Sequence, residues 1–527
     1  MLDLLITQGT IVDGTGNPAF RADVGVAQGR IVALAAGLDQ EATRVIDAQG
    51  LHVAPGFVDP HTHSDLTLLV DPKAESKIRQ GVTTEVVGNC GSSPAPVQGA
   101  AVDEVQADAR PLGLEVDWRS MAEYLARVST PGTALNVVAL IGHNTVRGSA
   151  LGYDDVRPTP QQQAAMERVV DEAMEQGARG LSTGLFYPPG NYARTPEVVA
   201  LARTAARRGG LYASHVRSES DGALEAVAEA IQIGEEAGAR IEVAHLKLSG
   251  YRHWPQAGRL IALLEEAHSR GVPLGCDQYP YHASSSWLAC MLPYWAQAGG
   301  AKGVADRLRD PAARARILQD YAENRQDWED RGGMRDWSDI VVSDCDACPE
   351  AMGQSLAQLA EAEARDPLEV ALNLIVASEG QVACVWFDQS EDNVRTFMQH
   401  PLVAVGSDGY ALSPQGVLGR SKPHPRSYGT FPRVLGRYVR EQGVLSLEEA
   451  VRKMTSLTAQ RFGLVDRGVL RPGAWADLAL FDAGTVSDRA TFTDPHQFPE
   501  GIPYVIVNGT VVIDQGVHTG ALPGAVL

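Results

Sequence analysis

The stretch Gly56-Phe57-Val58-Asp59-Pro60-His61-Thr62-His63 decides the reading of the fold. A short run, Gly56–Asp59, ends in two histidines spaced His-x-His. Alternate side chains of an extended strand point to the same side, so His61 and His63 can grip one ion. Working outward, the same device recurs. Thr83–Gly88 ends in Asn89-Cys90-Gly91, Leu135–Ile141 ends near His143, and Gly180–Leu185 leads to Tyr187. Leu211–Ser214 ends at His215, and Ile241–Ala244 ends at His245 with Lys247 close by. Val272–Cys276 ends at Asp277, with Tyr279 and Tyr281 following, and Leu402–Gly406 ends at Ser407-Asp408. That makes eight strand ends, several of them about 30 residues apart, the length of one strand-helix unit.

Continuous apolar runs suit parallel strands buried on both faces. The segments between them read as helices. Thr159-Pro160 supplies an N-cap and a first-turn proline, Val169, Val170, Ala173 and Met174 form an apolar stripe, and Gly177 stops the helix. Thr195-Pro196 repeats the device, and Ser446 with Glu449 reads as a capping box. Alternating strand and helix predicts an α/β domain, here a (β/α)8 TIM-like barrel over 55–464, with its active site at the carboxyl ends of the strands.

Both chain ends have a different texture. Leu4–Ile6, Ile11–Val12, Val24–Val26 and Ile31–Ala35 read as short strands, as do Ala476–Phe481, Tyr504–Val507 and Val511–Ile513. Asn508-Gly509 between two apolar runs predicts a hairpin. The expectation is one small β-sandwich domain built from 1–54 plus 465–527. Three segments interrupt the barrel rhythm: a polar connection at 98–120, a Trp- and Gly-rich insertion at 283–340 read as a lid, and a Pro/Gly/Ser loop at 409–430.

The chain has 527 residues, with 45 Lys+Arg against 65 Asp+Glu and a formal net charge of −20. This balance argues against nucleic-acid and anionic-membrane partners, which need clustered cations. No stretch of 18 or more apolar residues occurs, and the start, MLDLLITQGTIVDG, lacks the basic and apolar regions of a signal peptide. Six cysteines are too sparse for a disulfide framework, so a reducing cytoplasm is the expected location. Cys345-Asp346-Ala347-Cys348 has metal-site spacing but no second pair, and is read as structural; Asp327–Asp339 is read as solvated lid surface.

A thiol, four imidazoles and a carboxylate on separate strand ends form a set that suits zinc by softness and ligand type. Pro55-Gly56-Phe57-Val58-Asp59-Pro60-His61-Thr62-His63 resembles the first-strand signature of the amidohydrolase superfamily. Within it, Val86-Val87-Gly88-Asn89-Cys90-Gly91, Ser182-Thr183-Gly184-Leu185-Phe186-Tyr187-Pro188-Pro189 and Lys422-Pro423-His424-Pro425-Arg426 resemble the N-acyl-D-amino-acid deacylases (D-aminoacylases) over essentially the whole chain. The resemblance implies zinc-dependent hydrolysis of the amide bond of N-acyl-D-amino acids to a carboxylate and a free D-amino acid. It implies one tightly held zinc on Cys90, His215 and His245. A second, weaker metal position would fall on His61, His63 and Asp408 with Cys90 bridging. Asp408 is implied as catalytic base. Lys247, Arg426 and Tyr281 or the neighbouring Tyr279 are implied as contacts to the substrate, beside Tyr187. The chain departs from the family pattern in Tyr410 to Val417, eight residues that lengthen the loop between Asp408 and Arg426.

Selectivity for acidic side chains in the resembling enzymes uses an arginine after the tyrosines. His282 to Ala301 holds no Arg or Lys but has Trp287, Leu288, Met291, Leu292 and Trp295, so apolar side chains are the expected preference. Two alternatives are a cyclic-amide hydrolase of the dihydroorotase or hydantoinase kind and a non-catalytic scaffold. The first often uses a fourth-strand lysine, which Gly180–Leu185 lacks, and the second usually loses ligands that are all present here.

Overall fold

The computed structural model describes residues 1–323 and 336–527. Among them, the barrel strands run Phe57–Asp59, Val82–Val87, Asn136–Ala139 continued by Ile141–Gly142, Gly180–Gly184, Leu211–His215, Arg240–Val243, Leu274–Gln278 and Val403–Val405. Neighbours in that order pair in parallel. The third strand is broken at Leu140, which expectation from its unbroken apolar run did not include. The Leu140 amide donates to Val87 O at 2.9 Å, and Ile141 then crosses to pair with Leu181 on the fourth strand. The break lets one chain segment serve both neighbours as the barrel curves.

The ring closes between the eighth strand and the first. The Asp408 amide donates to His61 O at 2.8 Å, and the His63 amide donates to Gly409 O at 2.9 Å. The seam therefore sets Asp408 beside His61 and His63 through backbone alone. Beneath it, Asp59 accepts the Ser407 amide at 2.9 Å and the Lys77 ammonium at 2.9 Å, and Lys77 also bonds the Ser407 hydroxyl. Asp59, Lys77 and Ser407 are fully buried. Removing one partner of such a pair leaves an uncompensated buried charge, at a cost of about 3–5 kcal/mol.

The helix signals hold in full at one of three sites and in half at another. Thr159 caps the helix Pro160–Glu175 with a reciprocal bond to Gln162, whereas the Ser446 hydroxyl accepts the Glu449 amide but the Glu449 carboxylate turns to Arg452 instead of closing the capping box. Thr195 differs: it lies inside the helix Thr195–Arg207, and its hydroxyl donates to Glu229 at 2.8 Å instead of capping. A carboxylate acceptor on the next barrel helix draws the hydroxyl away from the local amide. Residues 98–120 also hold a helix, Ala100–Ala109, where a polar connection was expected.

Strands from both chain ends form one ladder of nine, in which His52–Pro55 pairs antiparallel with Leu478–Phe481. Leu4, Ile6, Val24, Val26, Leu478 and Leu480 share its apolar core. Asn508 and Gly509 have φ of 48° and 81°, as a two-residue hairpin turn demands.

The insertion is more regular than its sequence implies. Ser284–Trp287 and Ile340–Asp344 flank Ala383–Trp386 in an antiparallel sheet, with helices Gly300–Arg309 and Pro311–Ala322 beside it. Its apolar core reaches past residue 340: Leu356, Ile375 and Trp386 pack with Leu288 and Leu292. The later helices, Leu356–Glu363 and Pro367–Ala377, have the stripe of any barrel helix, so the sequence alone does not separate them from the barrel. Most of Asp327–Asp339 lies outside the described residues. No helix among the described residues is long and apolar enough to cross a membrane.

Candidate metal centre and substrate site

The strand ends carry strained backbone where the ligand-type residues sit. Cys90, His245 and Asp408 have φ of 51°, 34° and 51°, in the left-handed region that side chains other than glycine rarely adopt. Such strain persists only where surrounding contacts over-determine it, and it clusters at functional sites. Here the Asp408 amide is held by His61 O and the His245 amide by Asp277 Oδ1 at 2.8 Å. Around Cys90 the fit is enforced sterically. A Cβ on Gly184 would stand 2.1 Å from Cys90 O, so the fourth strand needs glycine there to let the second strand turn inward. Gly184→Ala is expected to cost at least about 2 kcal/mol by overpacking. A chemical-denaturation midpoint equal to wild type would contradict that.

Two groups of donors converge above the barrel. In the first, the donor atoms of Cys90, His215 and His245 lie within 4.8 Å of one another, and all three residues are buried. His245 Nε2 is 2.9 Å from His215 Nδ1 and 3.4 Å from Cys90 Sγ. In the second, His61, His63, Cys90 and Asp408 satisfy the same limit. His61 Nε2 is 3.2 Å from Cys90 Sγ, and His63 Nε2 is 2.9 Å from Asp408 Oδ1. Cys90 belongs to both groups. Burial opposes its ionisation, yet the imidazoles of His61, His245 and His215 hold the thiol well below its usual value. Two imidazole nitrogens and a sulfur turn toward one point, where each can offer a lone pair to a shared cation, so the donor set fits a zinc-type ion in number, softness and burial.

Asp408 is paired on both sides. Oδ2 is 2.8 Å from Arg426 Nη1. Burial pushes its carboxyl up, but Arg426, His61 and His63 outweigh this and hold it well below the carboxylate range. The loop holding Tyr410 to Val417 does not keep Arg426 away. Leu412 and Leu418 are buried, the Leu412 amide donates to Ser76 Oγ at 2.8 Å, and a new helix starts at Arg426 itself. The loop folds back onto the barrel, and the arginine returns to the site.

The other substrate-side candidates divide. The Tyr279 ring lies between the two cations, 4.7 Å from the Arg426 guanidinium and 5.7 Å from Lys247 Nζ, and its hydroxyl accepts Gln389 Nε2 at 2.8 Å. Tyr281 instead stacks edge-on with His424 at 5.0 Å, beneath Arg433 at 4.6 Å. The chain turns after the seventh strand, where the Tyr281 amide donates to Tyr279 O at 3.0 Å, and so these tyrosines meet different neighbours, which the sequence left open. The Tyr187 ring is 4.8 Å from that of His215, and its hydroxyl is 3.0 Å from Ser286 Oγ on the insertion. Leu288, Met291, Leu292 and Trp295 pack into the insertion's own core, whereas Trp287 is 45% exposed. Cys345 and Cys348 join neither donor group, and His143 is bound to Glu197 at 3.2 Å.

Two buried carboxylates escaped the sequence reading of the site. Asp277 Oδ2 is 3.4 Å from His61 Nδ1, and Glu219 Oε1 is 2.5 Å from Lys247 Nζ. Asp277 was visible as a strand end. Glu219 lies in the loop after the fifth strand, where no pattern distinguishes it from a solvated acid.

A family model described as Amidohydrolase family matches residues 44–513. An N-acyl-D-glutamate deacylase of Alcaligenes xylosoxydans xylosoxydans is 38% identical over 98% of this chain and 94% of its own length. A D-aminoacylase of the same organism is 35% identical over 100% of this chain and 97% of its own. The crystal structure of N-acyl-D-glutamate deacylase from Bordetella bronchiseptica, complexed with zinc and a phosphonate mimic of the tetrahedral intermediate, superposes with a TM-score of 0.84. It is 37% identical, covering 100% of this chain and 99% of that one.

Proposed function

We propose, for a chain that belongs to the amidohydrolase family, that it is a zinc-dependent N-acyl-D-amino-acid deacylase. It hydrolyses the amide to a carboxylate and a free D-amino acid. The observation that carries this reading is the convergence of Cys90, His215 and His245 beside Asp408, itself paired with Arg426. Cys90, His215 and His245 would hold the tight zinc, with His61, His63, Asp408 and the shared Cys90 as a second, weaker position. When bound, zinc polarises the scissile carbonyl and lowers the pKa of water from about 15.7 towards 7.

The chain's own residues do the rest. Asp408 is ionised at neutral pH and accepts the proton of the attacking water at a carboxylate oxygen. It returns that proton to the amide nitrogen, which makes the amine a competent leaving group. Lys247 and Arg426 are each ion-paired, to Glu219 and Asp408, and both flank Tyr279; of the two, Arg426 has the fork that suits two-point contact with the substrate carboxylate. The Tyr279 ring holds the guanidinium over its face, 4.7 Å from the centroid. The cyclic-amide alternative is disfavoured because the fourth strand, Gly180–Gly184, carries no lysine and Cys90 is already the group common to both donor sets. The sparse cysteine usage, six in 527 residues, supports a cytoplasmic location.

For the side chain, the absence of any Arg or Lys in 282–301 supports a preference for apolar D-amino acids. A panel of zinc-loaded assays tests it. N-acetyl-D-leucine and N-acetyl-D-methionine are expected to give higher kcat/KM than N-acetyl-D-glutamate and N-acetyl-D-aspartate. The reverse order would reject the preference and keep the deacylase reading.

A further inference from the structure

Glu219 stands behind both imidazoles of the Cys90 group. Its Oε1 is 3.1 Å from His245 Nδ1, 3.7 Å from His215 Nε2 and 2.5 Å from Lys247 Nζ. The residue is 7% exposed. The opposite ring atoms, His245 Nε2 and His215 Nδ1, are those that face each other at 2.9 Å next to Cys90.

A neutral imidazole has one N–H and one lone pair, and only the lone pair can bind an ion. A carboxylate behind the outer nitrogen draws the N–H outward and leaves the inner nitrogen bare. One neighbour competes for that arrangement. Lys247 Nζ is only 2.7 Å from His245 Nδ1. An ammonium can only donate. If it donated to Nδ1, the ring proton would sit on Nε2, pointing into the donor group and abolishing His245 as a ligand.

We propose that Glu219 is a positioning residue that fixes the ligating tautomer of His245 by drawing its outer N–H and the Lys247 ammonium onto one carboxylate; His215 Nε2, at 3.7 Å, is too far for a hydrogen bond. The inference rests on the zinc reading above. Glu219 thus serves two tasks: it keeps His245 available as a ligand, and it holds Lys247 next to Tyr279. Both depend on negative charge at Oε1, so the isosteric amide does not replace it.

The test is zinc affinity by competition with a chromophoric chelator, on folded proteins checked by circular dichroism. Wild-type binding of zinc tests the underlying reading; comparison among variants tests the inference. Glu219→Gln is expected to weaken zinc by about 10–100-fold, the usual effect of losing such a partner. Glu219→Asp, which keeps the charge, is expected to recover part of that loss. The diagnostic variant is the double Glu219→Gln/Lys247→Met. With the competing donor gone, its zinc affinity is expected to return to within a few-fold of wild type. Wild-type affinity in Glu219→Gln would overturn the proposal. So would a double variant no better than Glu219→Gln, because a merely structural defect is not repaired by removing a second buried charge.

Discussion

Asp408→Ala lowers kcat by about 10²–10⁴-fold, the range expected when a positioned general base is removed. Zinc stays bound in that variant, because Cys90, His215 and His245 form a complete donor group without Asp408. The size of the effect follows from the double duty assigned to one carboxylate, which takes a proton from water and gives it to the departing nitrogen. Its pairing with Arg426 and its contact with His63 keep it ionised, so the side chain enters the reaction as a base without prior deprotonation. Alanine also leaves Arg426 without its partner, and the freed cation can hold the substrate more tightly. KM is therefore expected to stay level or fall while kcat collapses. Steady-state kinetics with metal analysis on the same preparation checks both. A kcat within ten-fold of wild type would remove Asp408 from the chemistry.

Cys90→Ala loses zinc altogether at concentrations that saturate the wild type. Outer partners of a metal site are worth about 10–100-fold in affinity, and direct loss of a shared ligand exceeds that. Cys90 has no substitute, since it is the sole sulfur in either group and the residue common to both. The consequence is visible in stability. A ligand that binds only the folded state at 100 times its Kd adds about 2.7 kcal/mol. Excess zinc is expected to raise the Tm of the wild type and leave that of Cys90→Ala unchanged. An equal rise in both would place the ion elsewhere.

The sequence made the barrel legible because its signal is repetitive. Runs such as Leu211–Ser214 and Ile241–Ala244 end in His215 and His245, and the same spacing recurs around the ring. The ligand set followed from residue type and from resemblance together. What stayed hidden depends on contacts distant in sequence. Nothing local separates Tyr279 from Tyr281, because the difference lies in Arg426 and Arg433, more than a hundred residues on. Thr195 looked like a cap until Glu229 supplied a better acceptor. The insertion looked irregular up to residue 340 and barrel-like beyond it, yet one core joins Leu288 to Trp386. Glu219 has no motif, and its place is set by how the loop after the fifth strand folds over Lys247.

The most direct test is a zinc-loaded assay of amino-acid release from N-acetyl-D-methionine and N-acetyl-L-methionine, with a hydantoin alongside and Asp408→Ala as control. The expected result is hydrolysis of the D substrate, abolished by chelation, restored by zinc and lost in the variant, with the L substrate and the hydantoin far slower. Turnover of the hydantoin above both amides, or D-substrate hydrolysis that survives chelation, would contradict it.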